Sequence, residues 1–344
     1  MRSLDALRDG IARVTRAPVI LGCVYLITFA AALPLSLAMR AAIAGHLGAS
    51  LAGDQAARGV HVQWWSEFAA QGGTLVSTFQ TSIIGFAAVL DNLSTLADRR
   101  ERPAPILWAG VLYVLLWVFL SGGIIDRYAR MRATRSHEFF TASGVYFVRF
   151  LRLVPIAGAV YYLAFAVLHP LLFGNLYEAA IRDITDDRLA FAIRLSLYLV
   201  FGAALAVASL VFDYARIRAV VEDRRSMIGA VAAGARFVRR NAGGVAGLYV
   251  LNGALFVGVL ALYALVAPGA ESTGVGMWLG FAVGQLYILA RLWVRLVFFA
   301  SETSLFQGRL AHAGYLAGSP AALREPPIVE AIVQSRTPTS QAKP

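Results

Sequence analysis

The sequence predicts an all-α polytopic membrane protein with six transmembrane helices, on three observations. No charge falls in the 23 residues between Arg16 and Arg40, and five further apolar stretches of spanning length follow. A hydrocarbon core about 30 Å thick takes roughly 20 apolar residues in helical form, so each stretch suffices for one crossing. Second, the 344-residue chain is 58% hydrophobic with a mean hydropathy of +0.65, beyond the make-up of an ordinary soluble domain. Third, charged, turn-rich segments separate the stretches.

The first span covers about residues 17–39. Arg2, Arg8, Arg13 and Arg16 ahead of it mimic a secretory leader, but the apolar run exceeds the roughly 7–15 residues of a signal core and reads as an uncleaved span. A loop of about 40–102 follows, too long for a plain connector. It carries Trp64 and Trp65 as a candidate outer surface for a partner or ligand, and an apolar block at 83–90. That block is too short to span and suits a helix resting on the outer leaflet or capping the bundle.

The second span, about 103–125, ends in Asp126-Arg127-Tyr128-Ala129-Arg130-Met131-Arg132. Residues 137–152 then read as an amphipathic surface helix leading into the third span, about 153–173. The fourth span, about 189–212, carries Arg194 near its start and ends in Asp213-Tyr214-Ala215-Arg216-Ile217-Arg218. Within 222–240, Met227, Val231, Gly234 or Ala235, and Val238 recur at helical spacing between arginine clusters, the pattern of a second helix lying in the membrane surface. The fifth span covers about 244–266 and the sixth about 272–299. Arg291 and Arg295 stand near the end of the sixth, where long side chains are expected to reach the headgroups. Gly276, Gly280 and Gly284 form a small-residue ladder that lets another helix approach closely. The Pro-, Ser- and Thr-containing tail, 319–344, is expected to be disordered in the cytoplasm.

Arginine placement sets the orientation. Arg127, Arg130, Arg132, Arg135, Arg149 and Arg152 follow the second span, and Arg216, Arg218, Arg224, Arg225, Arg236, Arg239 and Arg240 the fourth. The opposite loops hold Glu178, Asp183, Asp186 and Asp187 against two arginines, or only Glu271. The excess of positive charge belongs inside, which puts both termini in the cytoplasm of a bacterial inner membrane. The cluster Arg99, Arg100 and Arg102 opposes this and is outvoted. The net charge of +11 reads as topology signal and attraction to anionic lipid, with no nucleic-acid partner.

The two exits share an acid followed by Tyr-Ala-Arg-apolar-Arg, and an acid recurs as Glu302, at separations of 87 and 89 residues. The stretch from Gly10 to Pro18 is matched by that from Gly234 to Ala242. The expected unit is a surface helix, a span, an outer turn and a second span with an acidic exit, present three times as helix-pair repeats. Asp126 with Arg130 and Asp213 with Arg216 are spaced to meet on one helix face. The exits are expected to anchor the spans at the interface, with Tyr128 and Tyr214 at headgroup level; the competing reading is a set of acids converging on a site.

Catalytic patterns are missing. Cys23 is alone, and His46, His61, His137, His169 and His312 are scattered without the spacing of a zinc helix, a phosphate loop or a nucleophile elbow. No catalytic residue, metal or cofactor is expected. The chain reads as a protein acting through membrane lipids or a protein partner; the alternative is a repeat-built carrier.

The six-span plan with surface helices before the odd spans, and the exit from Asp213 to Arg216, resembles a group of bacterial membrane proteins similar to the membrane domain fused to some glycerophosphodiester phosphodiesterases. The resemblance covers residues 1 to about 310 in plan. It implies an inner-membrane helical bundle without an agreed activity, and it carries over no catalytic residue because no phosphodiesterase domain is present. The long outer insertion departs from that compact plan.

Overall fold

A computed structural model describes residues 1–48, 52–58, 61–76, 98, 104–132, 135–267 and 274–310. Its helices are α1 (Ser3–Thr15), α2 (Pro18–Leu47), α3 (Ala52–Arg58), α4 (Val62–Gln71), α5 (Ala104–Arg130), α6 (Ser136–Leu151), α7 (Leu153–Ile181), α8 (Asp187–Val221), α9 (Met227–Arg240), α10 (Ala242–Val266) and α11 (Val275–Arg309). Among the described residues there is no strand. Six helices, α2, α5, α7, α8, α10 and α11, are long and apolar enough to cross a membrane. The protein is a multi-pass helical membrane protein.

Each span ends where its sequence stops supporting helix or where protein takes over from lipid. Asp186 caps α8 by accepting the Arg188 N–H at 2.9 Å, and Pro18 opens α2 at a position that needs no amide proton. α2 does not stop near Met39 but continues through Arg40 to Leu47. α11 runs past Phe299 to Arg309, because Ser301, Glu302, Thr303 and Ser304 are buried by neighbouring helices and need no apolar character to leave water. In α7, Pro170 lacks an N–H and crowds the preceding turn; the helix widens to π-type turns on both sides, Ala164–Leu168 and Leu171–Leu176.

Three shorter helices, α1, α6 and α9, precede the odd spans. Their buried faces repeat at helical spacing: Ala6, Gly10 and Val14 on α1; Ser143, Tyr146 and Phe150 on α6; Met227, Ala230, Ala233, Gly234 and Phe237 on α9. The stripe expected on α9 is shifted, so that Val231 and Val238 flank the buried face instead of forming it. Ser226 caps α9 through the Gly229 N–H at 3.3 Å. α6 folds back on α5, α9 folds back on α8, and α1 docks on the end of α11.

Burial is concentrated at this end, the base, where the even spans finish. The main core gathers Ile124, Ile125 and Tyr128 of α5, Tyr214 and Ile217 of α8, and Leu296, Ala300, Leu305 and Phe306 of α11. Toward the opposite end the spans diverge. Trp108 is 73% exposed, Leu265 85% and Val275 85%. Even in α11 only 28% of the apolar window is buried inside the molecule, so the remaining surface is left to lipid.

Part of the segment between α2 and α5 builds a satellite on the projecting end of α2. Trp64, Phe68 and Val76 pack against Met39, Ile43 and Leu47. The apolar block at 83–90 and the tail at 319–344 lie outside the described residues.

Candidate functional site

The exit motifs are core, not anchors. Tyr128 and Tyr214 are both 0% exposed, against the headgroup position expected for them. The reason is the returning surface helix: Phe237 of α9 lies 4.8 Å from the Tyr214 ring and 5.0 Å from Phe306, covering the exit from water. Neither tyrosine hydroxyl has a hydrogen-bond partner.

The acids are divided between two environments. Asp126 accepts from Arg130 Nε at 2.6 Å, and both face Tyr146 of α6. Burial, with Asp126 and Asp223 adding, holds the Tyr146 hydroxyl protonated above the usual tyrosine range. Asp213 pairs with Arg216 on the next turn, and Glu302 lies within electrostatic reach of both. Glu302 is 2% exposed and its Oε1 has no partner. The structure thus brings Asp213, Arg216 and Glu302 together and leaves Asp126 apart. His137 is exposed at the start of α6.

A second network ties α1 into the base. Arg13 Nε holds Asp9 at 2.8 Å, and its NH1 donates to the Tyr128 carbonyl and to Gln307 Oε1, each at 2.8 Å. Gln307 Nε2 donates to the Ala129 carbonyl at 3.0 Å, and Ser304 donates to Asp9 at 2.7 Å. The carbonyls left open where α5 ends are therefore satisfied by residues from both ends of the described chain. Burial lowers the pKa of Arg13, with Asp9 opposing.

The three surface helices repeat one relation. α1 packs on α11 and reaches the end of α5 through Arg13. α6 packs on α5 and reaches the end of α8, where Tyr146 donates to the Val220 carbonyl at 3.4 Å and Arg149 meets Asp223 at 2.5 Å. α9 packs on α8 and reaches the end of α11 through Phe237 and Phe306. Each helix locks its own span to the next, and the cycle closes.

Tight approaches fall in this ring. A Cβ added at Gly10 would stand 2.6 Å from Ser301, at Gly234 2.9 Å from the Val211 carbonyl, and at Gly122 2.6 Å from Tyr146. The ladder expected to pack, Gly276, Gly280 and Gly284, lies in the divergent part of α11. A Cβ at Gly284 would meet nothing within 4 Å. Trp64, expected on an outer surface, is buried instead: its Nε1 donates to His46 at 3.0 Å and its ring stacks on Phe68. Trp65, beside it, is half-buried and tilted against Phe68.

Above the base, a cavity of about 510 Å³ is lined by Thr28 of α2, Tyr113 of α5, Phe256 of α10 and, from α11, Ile288, Arg291, Leu292, Val294, Arg295 and Phe298. Arg295 does not reach toward headgroups. Its guanidinium lies 3.6 Å from the Trp117 ring centroid, and its NH1 donates to the Tyr113 hydroxyl at 2.5 Å. A delocalised cation gains from an aromatic face in a low-dielectric setting, so the inward rotamer wins over snorkelling.

No protein-family model, characterised protein or solved structure matches this chain. The site therefore stands on its own geometry. Among the described residues no group of three or more His, Cys, Asp or Glu side chains is placed to hold a metal. Sequence reasoning passed over Asp9, Gln307, Asn252 and Ser301. Asn252 Nδ2 donates to Ser301 at 3.0 Å in the buried contact between α10 and α11. One signal was present for the cavity: Arg291 and Arg295, four residues apart, share a face of the otherwise uncharged stretch 275–301.

Proposed function

We propose that the protein is a non-enzymatic integral membrane protein of a bacterial inner membrane that acts through lipid contacts, with its base and both termini in the cytoplasm. The observation that carries this reading is the contrast along the spans. At the base, hydrogen bonds and close glycine contacts lock six helices; away from it, large apolar side chains have little protein against them and need lipid to fill the gaps. The arginine-rich turns at the base support the cytoplasmic assignment, and the cyclic relation of α1, α6 and α9 supports an origin by triplication of a helix-pair unit.

Extraction of the protein with its surrounding membrane, followed by lipid mass spectrometry, is expected to return anionic phospholipid enriched over the bulk composition. Loss of that enrichment, together with solute flux in liposomes that ignores lipid composition, favours a carrier. The carrier reading has one observation in its favour, the cavity between α2, α5, α10 and α11. For orientation, single cysteines at Arg135 and Arg225 on a Cys23→Ser background are expected to label only from the cytoplasmic side.

A further inference from the structure

Arg291 and Arg295 are the charged side chains that line the cavity, and among the described residues neither is paired with a carboxylate. Arg291 lies over the Tyr287 ring at 5.5 Å, and Arg295 over Trp117 and Tyr113. Among the described residues neither forms an ion pair. Asp213 is within electrostatic range of Arg295 but is held by Arg216.

The depth makes this costly. Thr28 stands ten residues from the Pro18 end of α2, Phe256 ten from the Val266 end of α10 and Tyr113 nine from the Ala104 end of α5. At about 1.5 Å per residue that is roughly 15 Å, half of a hydrocarbon core of about 30 Å. Arginines at such depth are rare, face cavities and take counter-charges. Here the counter-charge must come from a ligand.

The geometry points to a phosphate-bearing amphiphile. Side chains four apart on a helix stand about 6 Å apart along the axis, a span that two guanidinium forks can close on one tetrahedral anion. The Tyr113 hydroxyl accepts from Arg295 and keeps its own proton to donate. The rest of the lining, Phe256, Ile288, Leu292, Val294 and Phe298, is apolar, and the cavity is far larger than a bare phosphate ion needs. Ile288, at 40% exposed, marks the side through which a chain can leave toward the membrane.

We propose that Arg291, Arg295 and Tyr113 form a binding site for the phosphate of an anionic amphiphile. It rests on the lipid-contact reading and names the ligand chemistry for it. The test uses the full chain in phosphatidylcholine nanodiscs, titrated with short-chain phosphatidylglycerol and separately with inorganic phosphate, read by native mass spectrometry and thermal unfolding. Phosphatidylglycerol is expected to bind and stabilise, and R291Q to weaken it about tenfold, the size of one lost charge-assisted hydrogen bond. Arg291 is exposed and lies over the Tyr287 ring, so R291Q is expected to fold, whether or not an Arg295 variant does; R295K, which keeps the charge and loses the planar fork, is expected to weaken binding as well.

Binding of phosphatidylglycerol alone assigns the phosphate to a lipid. Competition by inorganic phosphate, lost in R291Q, assigns the site to a free phosphoanion, which keeps the site and removes the lipid reading. Phosphatidylglycerol bound equally by parent and R291Q overturns the site while the lipid reading stands. Absence of binding by either probe overturns both.

Discussion

Glu302 is the residue whose environment and chemistry conflict most. Its carboxyl is enclosed by protein, one oxygen has no partner, and the nearest cation is already engaged by Asp213. An isolated buried charge is costly, so a neutral amide should fit at least as well. E302Q is expected to leave the midpoint of thermal unfolding in detergent unchanged or to raise it. A steep fall would show that an ionised Glu302 is part of what holds the base. Arg13 makes the opposite prediction. It is 10% exposed and supplies two bonds across the base, so R13A leaves a buried carbonyl and amide without donors and is expected to cost about 1–3 kcal/mol. At this scale the sequence told part of the story. The Asp126–Arg130 and Asp213–Arg216 pairs follow from helical spacing, but a tyrosine beside an arginine at a span end looks the same as an interfacial anchor and as a core residue. What decides between them is a helix that folds back from twenty residues later.

Helix by helix, lipid and protein act as two solvents, and hydropathy reads only one. The six spans were legible because charge-free runs of this length have no other home. Their ends were not, since Ser301, Glu302, Thr303 and Ser304 are sheltered by neighbouring helices and register as polar. The glycines of α11 show the same limit: a ladder at spacing four announces the capacity for close packing without announcing that a partner is there. The two classes of glycine should separate cleanly in thermal unfolding. Gly10→Leu forces a side chain into the Ser301 backbone and is expected to destabilise by about 1–3 kcal/mol. Gly284→Ala meets open space and is expected to be neutral or to stabilise by about 0.5–1 kcal/mol, the helix-propensity difference.

Taken as a whole, the described helices tie α5, α8 and α11 into a ring at one end through α1, α6 and α9 and leave large apolar side chains exposed toward the other. The closing contact is the one between α1 and α11, made by Gly10 on Ser301, Asp9 on Ser304 and Arg13 on Gln307. Deletion of residues 1–15 is expected to leave six inserted spans whose base is cut rapidly by added protease near Arg135 and Arg225, while the parent resists. Equal resistance would mean that α1 is dispensable to the ring. The pattern shared by Gly10, Val14 and Arg16 at the end of α1 and by Gly234, Val238 and Arg240 at the end of α9 hinted at this equivalence. That α1 would find its span at the far end of the sequence was beyond local pattern, because no spacing rule links residues almost three hundred positions apart.

That separation governs the order in which the protein is made. α1 leaves the ribosome long before α11 does, so throughout synthesis its Gly10 face and its Asp9–Arg13 pair have nothing to sit on. The half-built chain carries an amphipathic segment without its partner until α11 has been threaded. A faulty last span would therefore leave the leading end unmoored as a handle for degradation.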